Sequence, residues 1–163
     1  MSEFFKPLPA SSAGLITNYK CTFQCKHCLY CSSPKIEEEV DEEVLREIID
    51  QLENEVPWVD LHIGGGEPLI DVERAKRIIS YIKTKKITLE YMETNGFLLL
   101  KEGERKLREL KEAGLLCMLL SISPFHNEFI SFDNTKKVFE EIVSVLGHGG
   151  IFPWHTGYFY FLK

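Results

Sequence analysis

The chain lacks any apolar run long enough to cross a bilayer, which takes about 20 consecutive predominantly apolar residues, so no membrane partner is expected. It also lacks an excess of basic residues: 19 lysines and arginines stand against 25 acids, for a formal charge of −6. A surface built to neutralise phosphates wants the opposite balance, which argues against a nucleic-acid backbone as the main partner. Strict repeats, low-complexity tracts and linker-like stretches are missing, so neither a solenoid nor a two-domain layout is expected. The opening "MSEFFKPLPASSAG" has no basic-then-apolar secretory pattern, and Pro7 and Pro9 mark residues 1–12 as an irregular lead-in. A cytoplasmic address follows as the expectation, and thiols stay reduced there. What is present is ordinary: 163 residues, 44% hydrophobic and 27% charged, enough for one domain with a real core over residues 13–163.

Cysteine is scarce but concentrated. Of five in the chain, four fall in "CTFQCKHCLYC", from Cys21 to Cys31. In a reducing setting, clustered thiols read as metal ligands or redox groups before disulfides. Cys21, Cys25 and Cys28 form C-x3-C-x2-C, and Cys31 adds one more x2 step. Zinc sites usually close a tetrahedron from two separated pairs, whereas thiols in one short loop suit an iron–sulfur cluster. Three readings stay open on the residues alone: an open cluster on three thiols, an electron-transfer cluster on all four, and a zinc-binding interaction module.

The elements alternate. "AGLITN" (Ala13 to Asn18) reads as a buried strand with the cysteines at its carboxyl end. A helix begins at Asp41, with Val44, Leu45, Ile48, Ile49 and Leu52 on one face and acids in its first turn. Trp58 to Ile63 is a strand running into "GGGEP"; the next helix carries Ala75, Ile78, Ile79 and Ile82 on one stripe. Ile87 to Glu93 is a strand ending at "TNG", followed by a helix that stops at Gly114. Leu115 to Ser123 is a near-continuous apolar strand, "DNTKKVFEEIVSVLG" a capped helix, and "TGYFYFL" a last strand. One strand and four helix–strand units mean right-handed crossovers and a parallel sheet. Five strands are too few to close an eight-stranded barrel. Ligands bind beyond the carboxyl ends of such strands, and there the polar oddities gather: the cysteines, Gly64 to Pro68, Glu93 to Gly96, and Ser121, Ser123 and "PFHNEF".

"CTFQCKHC" after strand one, "GGEP" after strand two, "ETNG" closing strand three and "SIS" closing strand four together resemble the radical S-adenosylmethionine (radical SAM) superfamily, over roughly Ile16 to Ser123. The resemblance implies an α/β fold, a partial (β/α) barrel with parallel strands. It implies a 4Fe–4S cluster on Cys21, Cys25 and Cys28, with the fourth iron chelated by SAM. An electron from that cluster then yields methionine and a 5′-deoxyadenosyl radical, which takes hydrogen from a substrate. By the same analogy Gly65, Gly66, Glu67 and Pro68 meet the SAM amino group, His27 lies against adenine, and Glu93, Asn95, Ser121 and Ser123 hold ribose and carboxylate. The implied partners are SAM, an electron donor such as flavodoxin or ferredoxin, and an unidentified substrate.

Other residues carry plainer readings. Cys31 is a fourth ligand, a substrate-handling thiol or idle, and a fourth ligand would shut the open iron. Cys117 reads as a small core hydrophobe and His62 as a structural histidine. His126 is either a substrate contact or loop packing. Glu67 reads as functional, because a carboxylate between glycine and proline has little evident packing use. The family core has six βα units and this chain shows five strands, so a shortened form of a longer protein is expected. An exposed edge at the last strand would then favour a homodimer.

Overall fold

Most apolar stripe residues from Ala13 to Leu146 pack together in the computed structural model, which describes residues 11–155. Val44 and Ile48, expected on the buried face of the first helix, stay exposed, and that face narrows to Leu45, Ile49 and Leu52. Five strands alternate with four helices: β1 (Ser12–Ile16), α1 (Glu42–Glu55), β2 (Asp60–Gly64), α2 (Val72–Lys83), β3 (Thr88–Thr94), α3 (Gly103–Ala113), β4 (Met118–Ile122), α4 (Phe132–Leu146) and β5 (Ile151–His155). The sheet order is β1-β2-β3-β4-β5 and every pair is parallel, as expected of a partial (β/α) barrel.

Strand alternation decides what faces what. Leu15, Leu61, Ile63, Met92, Met118 and Leu120 turn toward the helices and are buried. There they join Leu45 and Ile49 of α1, Ile79 and Ile82 of α2, Leu107 and Leu110 of α3, and Val138 and Ile142 of α4. Each such side chain contributes about 1.5–3 kcal/mol by leaving water, which makes this layer the main stabilising element. The alternate positions His62, Tyr91, Glu93, Leu119 and Ser121 lie on the inner face, free of helices.

Helix starts follow the capping residues. The Asp41 carboxylate accepts from Glu43 N at 2.7 Å and that of Asp71 from Arg74 N at 2.9 Å. Ser131 caps α4, so that helix starts at Phe132, just ahead of the expected opening at Asp133. Gly114, with φ of 125°, ends α3 as expected.

Two strands depart from expectation. β4 begins at Met118, after the apolar run has already started: Leu115 is buried under α3, Leu116 is 70% exposed and Cys117 is half-buried. Cys117 is therefore no core residue. The fifth strand is Ile151–His155. "IFPWH" hides behind Pro153, which lacks an amide donor but is tolerated in a strand at the end of the sheet order. The expected last strand, "TGYFYFL", lies outside the described residues.

Candidate functional site

The cysteine loop leaves β1 and returns to α1 through a paired stem. Tyr19 N donates to Glu38 O at 2.8 Å, Cys21 N to Ser33 O at 3.2 Å and Val40 N to Thr17 O at 3.0 Å. Arg74 of α2 buries its guanidinium against the stem, donating to the carbonyls of Thr17 and Val40 and to Glu39. At the tip, Cys28 N donates to Cys25 O and Cys31 N to Cys28 O, so successive turns separate the thiols. Phe23, only 2% exposed, pins the loop to the far strands: it stacks on Phe129 at 4.9 Å and meets Phe97 edge-on at 5.6 Å.

The β2 loop packs against this stem. Gly65, with φ of 128°, and Gly66 have no room for a Cβ, which would overlap the carbonyls of Asn18 and Lys20 respectively. In return Gly66 N donates to Asn18 O at 2.8 Å and Glu67 N to Lys20 O at 2.9 Å. The glycines thus serve the approach of two backbone segments, a reason the sequence alone did not disclose.

Glu67 corrects the expectation that its carboxylate has no packing use. It is fully buried, accepting from Leu69 N at 3.2 Å, from Asn95 N at 2.9 Å and from the Thr94 hydroxyl at 3.0 and 3.2 Å. It clamps the end of β2 to the end of β3. Burial pushes its carboxyl up to about 7, against the pull of those donors. Pro68, also buried, opens a short turn behind it.

A cavity of about 340 Å³ opens at the carboxyl ends of the strands. Cys21, Cys25 and Cys28 line it, with Gly65, Gly66, Glu93, Asn95, Ser121, His27 and His126 from the sequence reading. Cys31 is exposed, has φ of 52° and does not line the cavity. Nor do Glu67, Pro68 and Ser123. The Ser123 hydroxyl is instead 2.7 Å from His126 Nδ1. His27 stacks on Phe125 at 4.6 Å and meets His126 edge-on at 5.0 Å. Tyr30, Ser32, Tyr91 and Trp154 also line the cavity and were missed. Tyr30, between Cys28 and Cys31, and Ser32, one residue past Cys31, carried the hint of their place in the cysteine loop.

Burial sets the electrostatics. It raises the Cys21 thiol, and together with the neighbouring thiols it pushes Cys25 up to about 12. Burial also raises Glu93, partly offset by His62, whose Nε2 lies 3.6 Å from the carboxylate. The ring of His62 stacks on Tyr91 at 4.9 Å. His126 is lowered to about 4 by burial and then by His27, so its ring is neutral. Thiols held protonated release their protons when a metal binds, because the cation replaces the missing counter-charge.

A parallel half-barrel with three thiols at the end of its first strand and a glycine–acid turn at the end of its second defines a narrow class. The "Radical SAM superfamily" description matches residues 15–152. The chain belongs to that superfamily, a superfamily of enzymes that typically use a 4Fe–4S cluster and SAM. It is 25% identical over 125 residues to YydG of Bacillus subtilis (strain 168), a protein named for peptide biosynthesis, covering 74% of this chain and 38% of that one. It is 30% identical over 127 residues to the GTP 3′,8-cyclase of Staphylococcus haemolyticus (strain JCSC1435), covering 73% and 36%. The chain thus spans little more than a third of either relative. In fold it is similar to BtrN, solved in complex with AdoMet and 2-DOIA, with a TM-score of 0.67 and 18% identity over 93% of this chain and 58% of that one.

The donor set fits a cluster. Cys21, Cys25 and Cys28 line the same cavity, and the N–H groups of Phe23 and Ser32 donate to the sulfurs of Cys21 and Cys28 at 3.4 Å. Thiolates are the ligands of iron–sulfur clusters, and each would hold its own iron. The Ser32 hydroxyl, buried and without a partner, faces this cavity beside Cys28, whose Sγ accepts from Ser32 N at 3.4 Å.

Proposed function

We propose that the chain is the core of a radical SAM enzyme, with Cys21, Cys25 and Cys28 holding a 4Fe–4S cluster at one wall of the cavity. Those three thiolates would hold a group that, once reduced by an external donor, would supply one electron for cleaving the sulfonium of SAM, so that hydrogen could be taken from a substrate. The observation that carries the reading is the separation of the thiols: three line the cavity and the fourth, Cys31, stands outside it.

The remaining roles follow from chemistry at the wall. Glu93 is the only acidic side chain lining the cavity among the described residues, and no lysine or arginine joins it there. It suits the cationic amino group of SAM or a ribose hydroxyl, and would repel the carboxylate. The Ser121 hydroxyl suits the ribose or the carboxylate, and the backbone of Gly65 and Gly66 suits the amino group. His27 offers a ring to the adenine. Neutral His126, held by Ser123, offers a nitrogen to a substrate without adding charge. Glu67 and Pro68 act from behind by fixing the glycine turn. An electron donor such as flavodoxin or ferredoxin would approach the cysteine loop, where Leu29 is 92% exposed. The relatives' names cover peptide biosynthesis and cyclisation of GTP, so the likeness supports the chemistry and leaves the substrate class open.

Anaerobic reconstitution, followed by reduction with dithionite in the presence of SAM, tests the proposal. Methionine and 5′-deoxyadenosine should form; zinc uptake without iron, or a cluster that never cleaves SAM, would refute it.

A further inference from the structure

We propose that Asn95 is a positioning residue for the redox chemistry: its side-chain N–H donates to Cys21 Sγ and raises the reduction potential of the cluster that Cys21 helps to hold. This rests on the reading above that Cys21 is a cluster ligand.

The geometry leaves the amide little freedom. Asn95 is only 6% exposed. Its Oδ1 accepts from Phe97 N at 3.0 Å, which settles the orientation of the amide and sends Nδ2 the other way. Nδ2 reaches Thr22 Oγ1 at 2.9 Å and Cys21 Sγ at 3.5 Å. The backbone is fixed too, because Asn95 N donates to the buried Glu67 carboxylate at 2.9 Å. Both ends of the side chain are therefore engaged by protein, which suits a residue that shapes the cluster better than one that binds SAM directly.

Two further donors reach these thiols, Phe23 N to Cys21 Sγ and Ser32 N to Cys28 Sγ, each at 3.4 Å. Both are backbone groups of the cysteine loop itself. Asn95 instead arrives from the end of β3, so it ties the ligand to the rigid sheet. Reduction adds negative charge to a cluster and its sulfurs, and a donor aimed at a sulfur favours the reduced state. Removing the donor should favour the oxidised state.

The test is a redox titration of the reconstituted chain, without SAM, followed by electron paramagnetic resonance. Asn95→Asp keeps the oxygen that accepts from Phe97 N and replaces the donor by a second oxygen. Asn95→Leu removes the donor without adding charge. Both should lower the midpoint potential with iron content unchanged, by about tenfold in the reduced-to-oxidised ratio for Asn95→Leu, equivalent to 59 mV for one electron, and by more for Asn95→Asp. An unchanged potential in Asn95→Leu at full iron content would overturn the inference. If neither variant assembles a cluster, wild-type chain labelled with nitrogen-15 in asparagine side chains decides. Magnetic coupling of that nitrogen to the reduced cluster supports the bond, and its absence refutes it. A wild-type chain that takes up no iron would sink the cluster itself, a different failure.

Discussion

At the scale of single residues, neighbouring side chains of similar type do different work. Cys25 lines the cavity and Cys31 does not, so Cys25→Ala should abolish iron retention while Cys31→Ala keeps it, as read by iron content and the visible spectrum after anaerobic reconstitution. Two acids likewise part company: Glu93 faces the cavity and Glu67 faces only protein donors. Glu67→Ala would strand two buried backbone N–H groups and a hydroxyl, at about 1–3 kcal/mol for each unsatisfied group, measurable by urea denaturation. The pH dependence follows from the same site. The folded Glu67 carboxyl binds its proton more tightly than the unfolded one, with a pKa raised from 4.5 to about 7. Its contribution is fully present below 4.5 and is lost as pH rises through 7, by roughly 3 kcal/mol between those limits. His126 works in the opposite sense, its pKa lowered from 6.5 to about 4, so its contribution is lost as pH falls through that window. The difference between wild type and Glu67→Gln isolates the first effect: the wild type should lose more stability than the variant between pH 5 and 8. Equal losses would contradict the raised carboxyl.

At the scale of elements, the cysteine loop is the piece that must be held, and Phe23 holds it. Phe23→Ala leaves every thiol in place but removes the ring from between Phe97 and Phe129, at about 3–5 kcal/mol. Iron retention should fall, and limited proteolysis should cut the loop faster, while Phe23→Leu shows a milder form of both. Retention at the wild-type level would mean that the stem and Arg74 suffice. This scale also separates what was legible in the sequence from what was not. Helices with a single apolar face, α1 to α4, were readable because their stripes recur within one segment. So were the places of the first four strands, although β4 starts three residues into its apolar run, and the thiols, whose spacing is local. The role of Glu67 was not readable, because its partners Thr94 and Asn95 come from another strand and meet it only across the sheet. The need for Gly65 and Gly66 was hidden for the same reason, since the atoms they make room for belong to Asn18 and Lys20. β5 was missed because Pro153 interrupts its pattern, and only its place at the end of the sheet order makes that proline acceptable.

At the scale of the whole molecule, the sheet concentrates chemistry at one edge and stability behind it. The four helices cover the outer face, and the inner face carries the cavity together with Phe152 and Trp154, 45% and 49% exposed on β5. Half-exposed aromatics on the last described strand give the expected association between copies a direct test. Light scattering during gel filtration should show mass rising with concentration, and Phe152→Lys with Trp154→Lys should reduce it; a concentration-independent monomer would count against the edge. Three thiols at that edge would hold a cluster and leave one iron to the cofactor. The most direct measurement of that arrangement is the electron paramagnetic resonance spectrum of the reduced, reconstituted chain before and after addition of SAM, made on both wild type and Cys31→Ala. A cluster of about four irons should give a signal that changes on SAM addition, equally in both proteins. A signal indifferent to SAM, or one lost with Cys31, would contradict that arrangement.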